Sequence, residues 1–144
     1  KKSPFLRSVI VNRGSKDGVI LGMAVLDKSY LIGKVVEVTY TTSRILLLSD
    51  LNSKVPVDIM PNNVQSILSG TGDYKGVIQY TKDKSLLEDD AIVFTSGAGG
   101  LFKSGIPIGK IKIDTNKNIK VKFFSNLSQI TFVKLVSFEK EEIK

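Results

Sequence analysis

The chain has 144 residues, 42% of them apolar and 24% charged, proportions of a folded globular unit rather than a disordered or fibrous one. It contains no histidine and no cysteine, which excludes Ser-His-Asp and Cys-His nucleophiles, thiolate and imidazole chemistry, disulfides and zinc sites of the usual type. Twenty-one Lys and Arg against fourteen Asp and Glu leave a net charge of +7, which attracts anionic partners without choosing among them.

The sequence opens on Lys1-Lys2-Ser3-Pro4, without an initiator Met or an apolar stretch behind the basic start. No signal peptide is expected there, and the chain reads as a piece of something longer. Its longest apolar runs, such as Ile45-Leu46-Leu47-Leu48, fall far short of the roughly 20 residues of a membrane span. Short β-branched runs separated by Gly, Asn, Asp and Pro predict strands almost throughout. They lie at Arg7 to Asn12, Ala24 to Leu26, Lys34 to Thr39, Arg44 to Leu48, Lys54 to Ile59 and Gln65 to Leu68. The series continues at Gly76 to Tyr80, Ala91 to Phe94, Ile108 to Ile113, Asn118 to Phe124 and Thr131 to Phe138. This is the pattern of a sandwich or barrel. Pro56 removes a ladder donor and places its strand at an edge or a bulge. Ile119, Val121 and Phe123 alternate with Lys120 and Lys122, so that strand buries one face and wets the other. Only single helical turns are expected, near Asp50 to Ser53 and Asn126 to Gln129; in the first, Asp50 accepts from the backbone two residues on.

Leu31-Ile32-Gly33-Lys34-Val35-Val36 and Pro107-Ile108-Gly109-Lys110-Ile111-Lys112 share Ile-Gly-Lys followed by an apolar strand. A short strand and a turn precede each, at Met23 to Leu26 and at Ala91 to Phe94. Gly-Lys before a strand is a common turn exit; the other reading is two related β units divided near Met60-Pro61-Asn62-Asn63.

Chemical motifs are imitated rather than present. Gly105 to Ile111 resembles a phosphate loop but is too short and has Ile111 where Ser or Thr should hold magnesium. Gly97-Ala98-Gly99 and Gly70-Thr71-Gly72 begin like dinucleotide fingerprints, yet no third glycine or helix follows. Ser96 in Thr95-Ser96-Gly97-Ala98-Gly99-Gly100 has no histidine to take its proton, and Ser137-x-x-Lys140 runs into a charged tail. Glu88-Asp89-Asp90 lacks the spacing of a calcium loop and reads as a solvated turn. Six lysines against Asp114 between Lys103 and Lys122 make a basic hairpin, read first as a solubilising bias. No catalytic residue, cofactor or metal ligand is expected.

Several runs in order resemble one family. These are Val11-Asn12-Arg13-Gly14-Ser15-Lys16-Asp17-Gly18-Val19, Gly22-Met23-Ala24-Val25, Ile32-Gly33-Lys34-Val35, Thr42-Ser43-Arg44-Ile45-Leu46-Leu47 and Asn52-Ser53-Lys54-Val55-Pro56-Val57. Leu68-Ser69-Gly70-Thr71-Gly72, Val93 to Phe102 and Gly105-Ile106-Pro107-Ile108-Gly109-Lys110 complete the set. Together they resemble the bacterial rod shape-determining protein MreC, with Asp89 departing from the usual Gly before Asp90. The resemblance implies the extracytoplasmic, periplasmic β portion of an inner-membrane protein, whose membrane helix and coiled coil lie outside this chain. It implies a mainly β fold of two small six-stranded-type barrels, distantly chymotrypsin-like and without a long helix. Residues 1–66 would form the first barrel, which a returning strand at 131–138 would complete, 67–130 the second, and 139–144 a charged tail.

The function so implied is a non-catalytic scaffold of lateral cell-wall synthesis. It would self-associate as a dimer or filament and bind a class B penicillin-binding protein, alongside MreD, RodA and MreB, with no nucleic acid. Ser96, Gly97, Gly99, Gly100, Leu101 and Phe102 are the candidate contact loop, and Phe102→Asp is expected to weaken partner binding. The same residues also read as a purely structural barrel end. Gly14, Gly18, Gly22, Gly33 and Gly109 are read as structural turn residues. The rival classes are a degenerate protease-like barrel and a basic β-barrel module binding nucleic acid or another anionic polymer.

Overall fold

The computed structural model of the protein describes residues 7–130 and 133–136. Eleven strands carry the described fold: β1 Ser8–Val11, β2 Ala24–Asp27, β3 Tyr30–Val38, β4 Ser43–Leu47, β5 Lys54–Met60, β6 Val64–Gly70, β7 Gly76–Gln79, β8 Ile92–Thr95, β9 Pro107–Ile113, β10 Ile119–Phe123 and β11 Lys134–Val136. Short 3-10 turns stand at Ser15–Asp17, Lys84–Leu86 and Ala98–Gly100. Residues 50–53 and 126–129 make turns, and Asp50 Oδ1 accepts from Asn52 N at 2.7 Å, the local bond its sequence position predicts. Among the described residues no helix is long and apolar enough to cross a membrane.

The strands form two antiparallel arrays, a five-stranded sheet in the order β1-β4-β3-β2-β11 and a closed barrel in the order β10-β7-β6-β5-β8-β9. The expectation of two six-stranded barrels is therefore corrected to one. In the sheet the outer strands β1 and β11 have four and three residues and do not pair with each other, so no ladder closes it among the described residues. The expected division at 66 and 67 falls within β6. Met60-Pro61-Asn62-Asn63 is the turn of a β5–β6 hairpin, closed by Ile59 opposite Val64, and both strands belong to the barrel. The chain leaves the sheet after β4 and enters the barrel at β5. β11 lies outermost in the sheet, with Leu135 opposite Val25 on β2. The remainder of the predicted Thr131 to Phe138 strand, Val133 aside, and the tail 139–144 lie outside the described residues.

Pro56 sits within a closed barrel rather than at an edge, and the geometry explains its tolerance. Its carbonyl accepts from Ser96 N at 3.1 Å, so its nitrogen, which points the same way along a strand, faces β8 as well. Pairing of β5 with β8 begins at Val57 opposite Thr95, one residue further along. The missing donor thus falls at the end of the β5–β8 ladder, where only one terminal bond is forgone.

The Ile-Gly-Lys repeat is a repeat of structure. Gly33 and Gly109 are not turn residues but lie inside β3 and β9, so β3 starts before the predicted Lys34. Gly33 stands opposite Val25 and Leu47; Gly109 stands opposite Val93 and Phe123. The register slips at matching points, between Val25 and Leu26 in one unit and between Val93 and Phe94 in the other. A Cβ on Gly33 would stand 2.3 Å from the Leu46 carbonyl oxygen, and one on Gly109 would stand 2.3 Å from that of Lys122. Glycine is required because the adjacent backbone occupies the space of a side chain. Ile32 and Ile108, the preceding residues, are both fully buried, and β3 and β9 touch each other across one continuous apolar core.

The crossing from sheet to barrel is tied down by polar contacts. Asp50 is fully buried; its Oδ2 accepts from Arg7 N at 2.5 Å while its carbonyl accepts from Ser53 N at 2.9 Å. Ser53 O and Ser49 O in turn accept from Gly70 N and Gly72 N at the end of β6. Asp50→Ala leaves two amide donors without their carboxylate and should lower the unfolding free energy by about 3 kcal/mol, measured by chemical denaturation. Gly33→Ala and Gly109→Ala should each destabilise by more than about 1 kcal/mol and by similar amounts, since each pushes the same carbonyl of an equivalent strand. A thermal melt unchanged in either would contradict that equivalence.

Candidate functional site

The candidate contact loop grows out of β8 and is closed on itself by Thr95. The buried Thr95 hydroxyl donates to Lys103 O at 2.7 Å and accepts from Ile106 N at 2.9 Å. The Thr95 backbone adds two more bonds, from its N–H to Ile106 O at 2.9 Å and from Gly105 N to its carbonyl at 2.8 Å. Four hydrogen bonds at one residue make a fixed loop of the intervening segment. Within it Ser96 Oγ accepts from Ala98 N at 3.1 Å, an ST-turn rather than a nucleophile awaiting a base. Gly97, Gly99 and Gly100 all have positive φ, at 78°, 74° and 68°. A single excursion into that region is common at a turn, whereas three within four residues set a path that only glycine follows without strain.

Leu101 and Phe102, adjacent in sequence, are separated by the fold. Phe102 is 3% exposed and closes the barrel interior, while Leu101 is 43% exposed on the outside. The ring of Phe102 is therefore unavailable to a partner, and Phe102→Asp would bury a charge without a counter-ion. Leu101 is the exposed apolar side chain of this loop. Sequence reasoning treated the pair as one apolar anchor because a loop has no periodicity from which to read direction.

The loop also forms one wall of a groove that sequence reasoning missed. About 290 Å³ in volume, the groove is lined on one side by residues 101–106 and on the other by Ala24, Leu26 and Ser29 of the first sheet with Lys134 and Val136 of β11. Two arrays distant in sequence thus meet beside Leu101. The signal that pointed there was indirect, namely the expectation that the last strand returns to the first unit.

The remaining residues singled out from the sequence scatter away from this groove. Gly18 and Gly22 occupy turns with φ of 87° and 88°. Gly14 is extended at φ −135° and is glycine for a different reason, since a Cβ would stand 2.4 Å from Thr39 O. Asp89 and Asp90 form ion pairs with lysines of β9 rather than a cation site, and no group of three carboxylates able to hold a metal exists among the described residues.

Comparison with known proteins places this architecture. A family profile described as "Rod shape-determining protein MreC, barrel core" matches residues 1–137. The Cell shape-determining protein MreC of Cereibacter sphaeroides is 30% identical over 142 residues, covering 98% of this chain and 47% of that protein. The chain spans less than half the length of such relatives. The crystal structure of MreC from Pseudomonas aeruginosa superposes with a TM-score of 0.85 at 30% identity, covering 95% of this chain and 93% of that one. A more distant fold match, at 19% identity and a TM-score of 0.55, covers 72% of this chain and 66% of that one and comes from a complex between Penicillin-Binding Protein (PBP2) and MreC from Helicobacter pylori. With nearly its whole length matched in both sequence and fold, the chain belongs to the MreC family.

Proposed function

We propose that this chain is the extracytoplasmic part of a non-catalytic cell-shape scaffold, acting in the machinery that builds the lateral cell wall. The observation that carries the reading is the match of the family's barrel core along residues 1–137, in a sequence without imidazole or thiol groups. The Helicobacter pylori complex, in which a related fold is bound to a penicillin-binding protein, supports a transpeptidase of that class as the partner. Self-association, and MreD, RodA and MreB as further partners, follow from the same family reading. So does a periplasmic location, with a membrane anchor supplied by a segment outside this chain; two further folds of the family are described as major periplasmic domains.

Such a scaffold regulates an enzyme only by binding one of its conformations more tightly than another. A rigid display suits that task, because little conformational entropy is lost when a pre-ordered loop docks. The loop from Ser96 through Gly97, Gly99 and Gly100 to Leu101 is such a display, anchored at Thr95 and offering one exposed leucine beside an apolar groove. Phe102 supports it from within. We divide the chain into two units accordingly, a sheet unit of β1 to β4 with β11 and a barrel unit of β5 to β10.

Leu101→Asp should weaken binding to the purified extracytoplasmic part of the class B transpeptidase by about tenfold, read by surface plasmon resonance, with its thermal melt unchanged. An unaltered affinity in the folded variant would remove this loop from the interface. Failure of the wild-type chain to bind any transpeptidase of that class would remove the scaffold reading itself.

A further inference from the structure

The two repeated units differ at one place where they should be alike. In the first unit Lys34 lies opposite the apolar Leu46, and one step further Glu37 lies opposite Arg44, whose Nε is 2.9 Å from the carboxylate. In the second unit Lys110 lies opposite Lys122 and, without the bulge that follows Val35 in the first unit, Lys112 lies opposite Lys120. Residues directly opposite on antiparallel strands share a face, so the four lysines leave the sheet from a grid of Cβ atoms about 5 Å across and about 7 Å along the strands. Like charges so placed oppose pairing of the strands.

The ion pairs lie on one side of the grid, while Lys120 has only the longer-range charge of Asp114. Asp90 Oδ1 is 2.8 Å from Lys112 Nζ and 3.7 Å from Lys110 Nζ, and Asp89 Oδ2 is 3.9 Å from Lys112 Nζ. The hydrogen bond from Lys112, and then its charge, hold the Asp90 carboxyl below its ordinary range, so the β9 lysines keep their counter-charge in mild acid. No carboxylate lies within ion-pairing distance of Lys120 or Lys122 among the described residues. Asp114, the acid nearest Lys120 in the groove, spends Oδ1 on the amides of Asn116 and Asn118 and Oδ2 on Asn118 Nδ2.

Lys120 and Lys122, which form no ion pair, face a groove of about 810 Å³ whose lining includes Tyr74, Lys75, Phe124 and Ser125. Lys75 adds a third exposed cation. Tyr74 is 53% exposed even with the Arg7 guanidinium carbon 5.6 Å from its ring centroid on one face, and the Ser125 hydroxyl is buried without a hydrogen-bond partner. Lysines with no arginine fork attract anionic groups as point charges and tolerate shifts in their position along a chain. A strand of nucleotides would need successive free rings for its bases, whereas Phe124 is already packed on Tyr30 at 5.0 Å between centroids. A bilayer meets flat or protruding apolar surface rather than a concave groove.

We propose that this groove binds an acidic glycan, an extended sugar chain whose carboxylates lie against Lys120, Lys122 and Lys75 and whose ring faces pack on Tyr74. The glycan neutralises the half of the lysine grid that Asp89 and Asp90 leave uncovered. This surface is separate from the Leu101 loop and stands whether or not that loop binds a transpeptidase.

The test is a heteronuclear NMR titration of the ¹⁵N-labelled chain with tetragalacturonic acid, with its methyl ester as the uncharged analogue and an oligothymidylate of equal charge as competitor. Tetragalacturonic acid should bind with a Kd of about 1 mM or tighter, shifting amides of 74–75, 110–114 and 118–127 and weakening with salt. Lys120→Ser with Lys122→Ser should lose at least about tenfold in affinity. Lys16→Ser with Lys54→Ser, which removes the same charge from a 3-10 turn and from β5, three strands from β10 in either direction, should lose less than about twofold. The proposal fails if the ester binds as well as the acid, if the oligothymidylate binds as tightly, if both lysine pairs cost the same, or if no shift appears at about 10 mM.

Discussion

A single buried carboxylate marks the crossing between the two halves of this molecule, which share one apolar core. Asp50 sits where the chain leaves the five-stranded sheet for the barrel, and its oxygens accept from Arg7 N just before β1 and from Asn52 N two residues on. A carboxylate removed from water is tolerated only where donors replace its hydration. Here the donors are backbone amides from either side of the crossing, so the side chain fixes where the first strand begins and how the chain turns toward β5. The close passage over β6 leaves no alternative path: a Cβ on Gly70 would lie 2.1 Å from the Asp50 carbonyl oxygen. Charge, turn and glycine are one constraint, expressed at three positions distant in sequence.

With that crossing fixed, two copies of one three-stranded meander can share a core. β2-β3-β4 and β8-β9-β10 share the mid-strand glycine and the bulge between their first two strands, though β3–β4 carries a second bulge after Val35 that β9–β10 lacks, and their central strands touch. The units nevertheless end differently. The second is closed by β5, β6 and β7, while the first is extended by short strands on both flanks and stays open among the described residues. An open sheet and a closed barrel divide the labour physically. Closure removes edges and gives rigidity, whereas outer strands leave unpaired backbone groups that can meet another chain.

The surface features follow from the same scaffold. The loop at 96–102 is ordered by Thr95 at the end of a barrel strand, and the groove beside it exists because β11 packs on β2. The lysine grid exists because β9 and β10 pair in the register that puts Lys110 against Lys122. Shape and charge, held in place by backbone pairing, are what a partner would read.

Alternation of apolar and polar residues was enough to find the strands, since side-chain direction in a strand has a fixed period. Ile119, Val121 and Phe123 turn inward and Lys120 and Lys122 outward, as their order demands. The absence of His and Cys was decisive without any coordinates, and the ordered Gly-containing motifs sufficed for the family. Loop and pairing information was not local. Nothing in Leu101-Phe102 says which residue turns inward, because that depends on where β9 re-enters the barrel. Gly33 and Gly109 resembled turn residues until the Leu46 and Lys122 carbonyls appeared beside them. Likewise the sequence determined that strands dominate and that imidazole and thiol chemistry is excluded, through composition and period alone. Only the tertiary structure decided which strands close on one another, because closure depends on hydrogen-bond partners that the chain brings together from far apart.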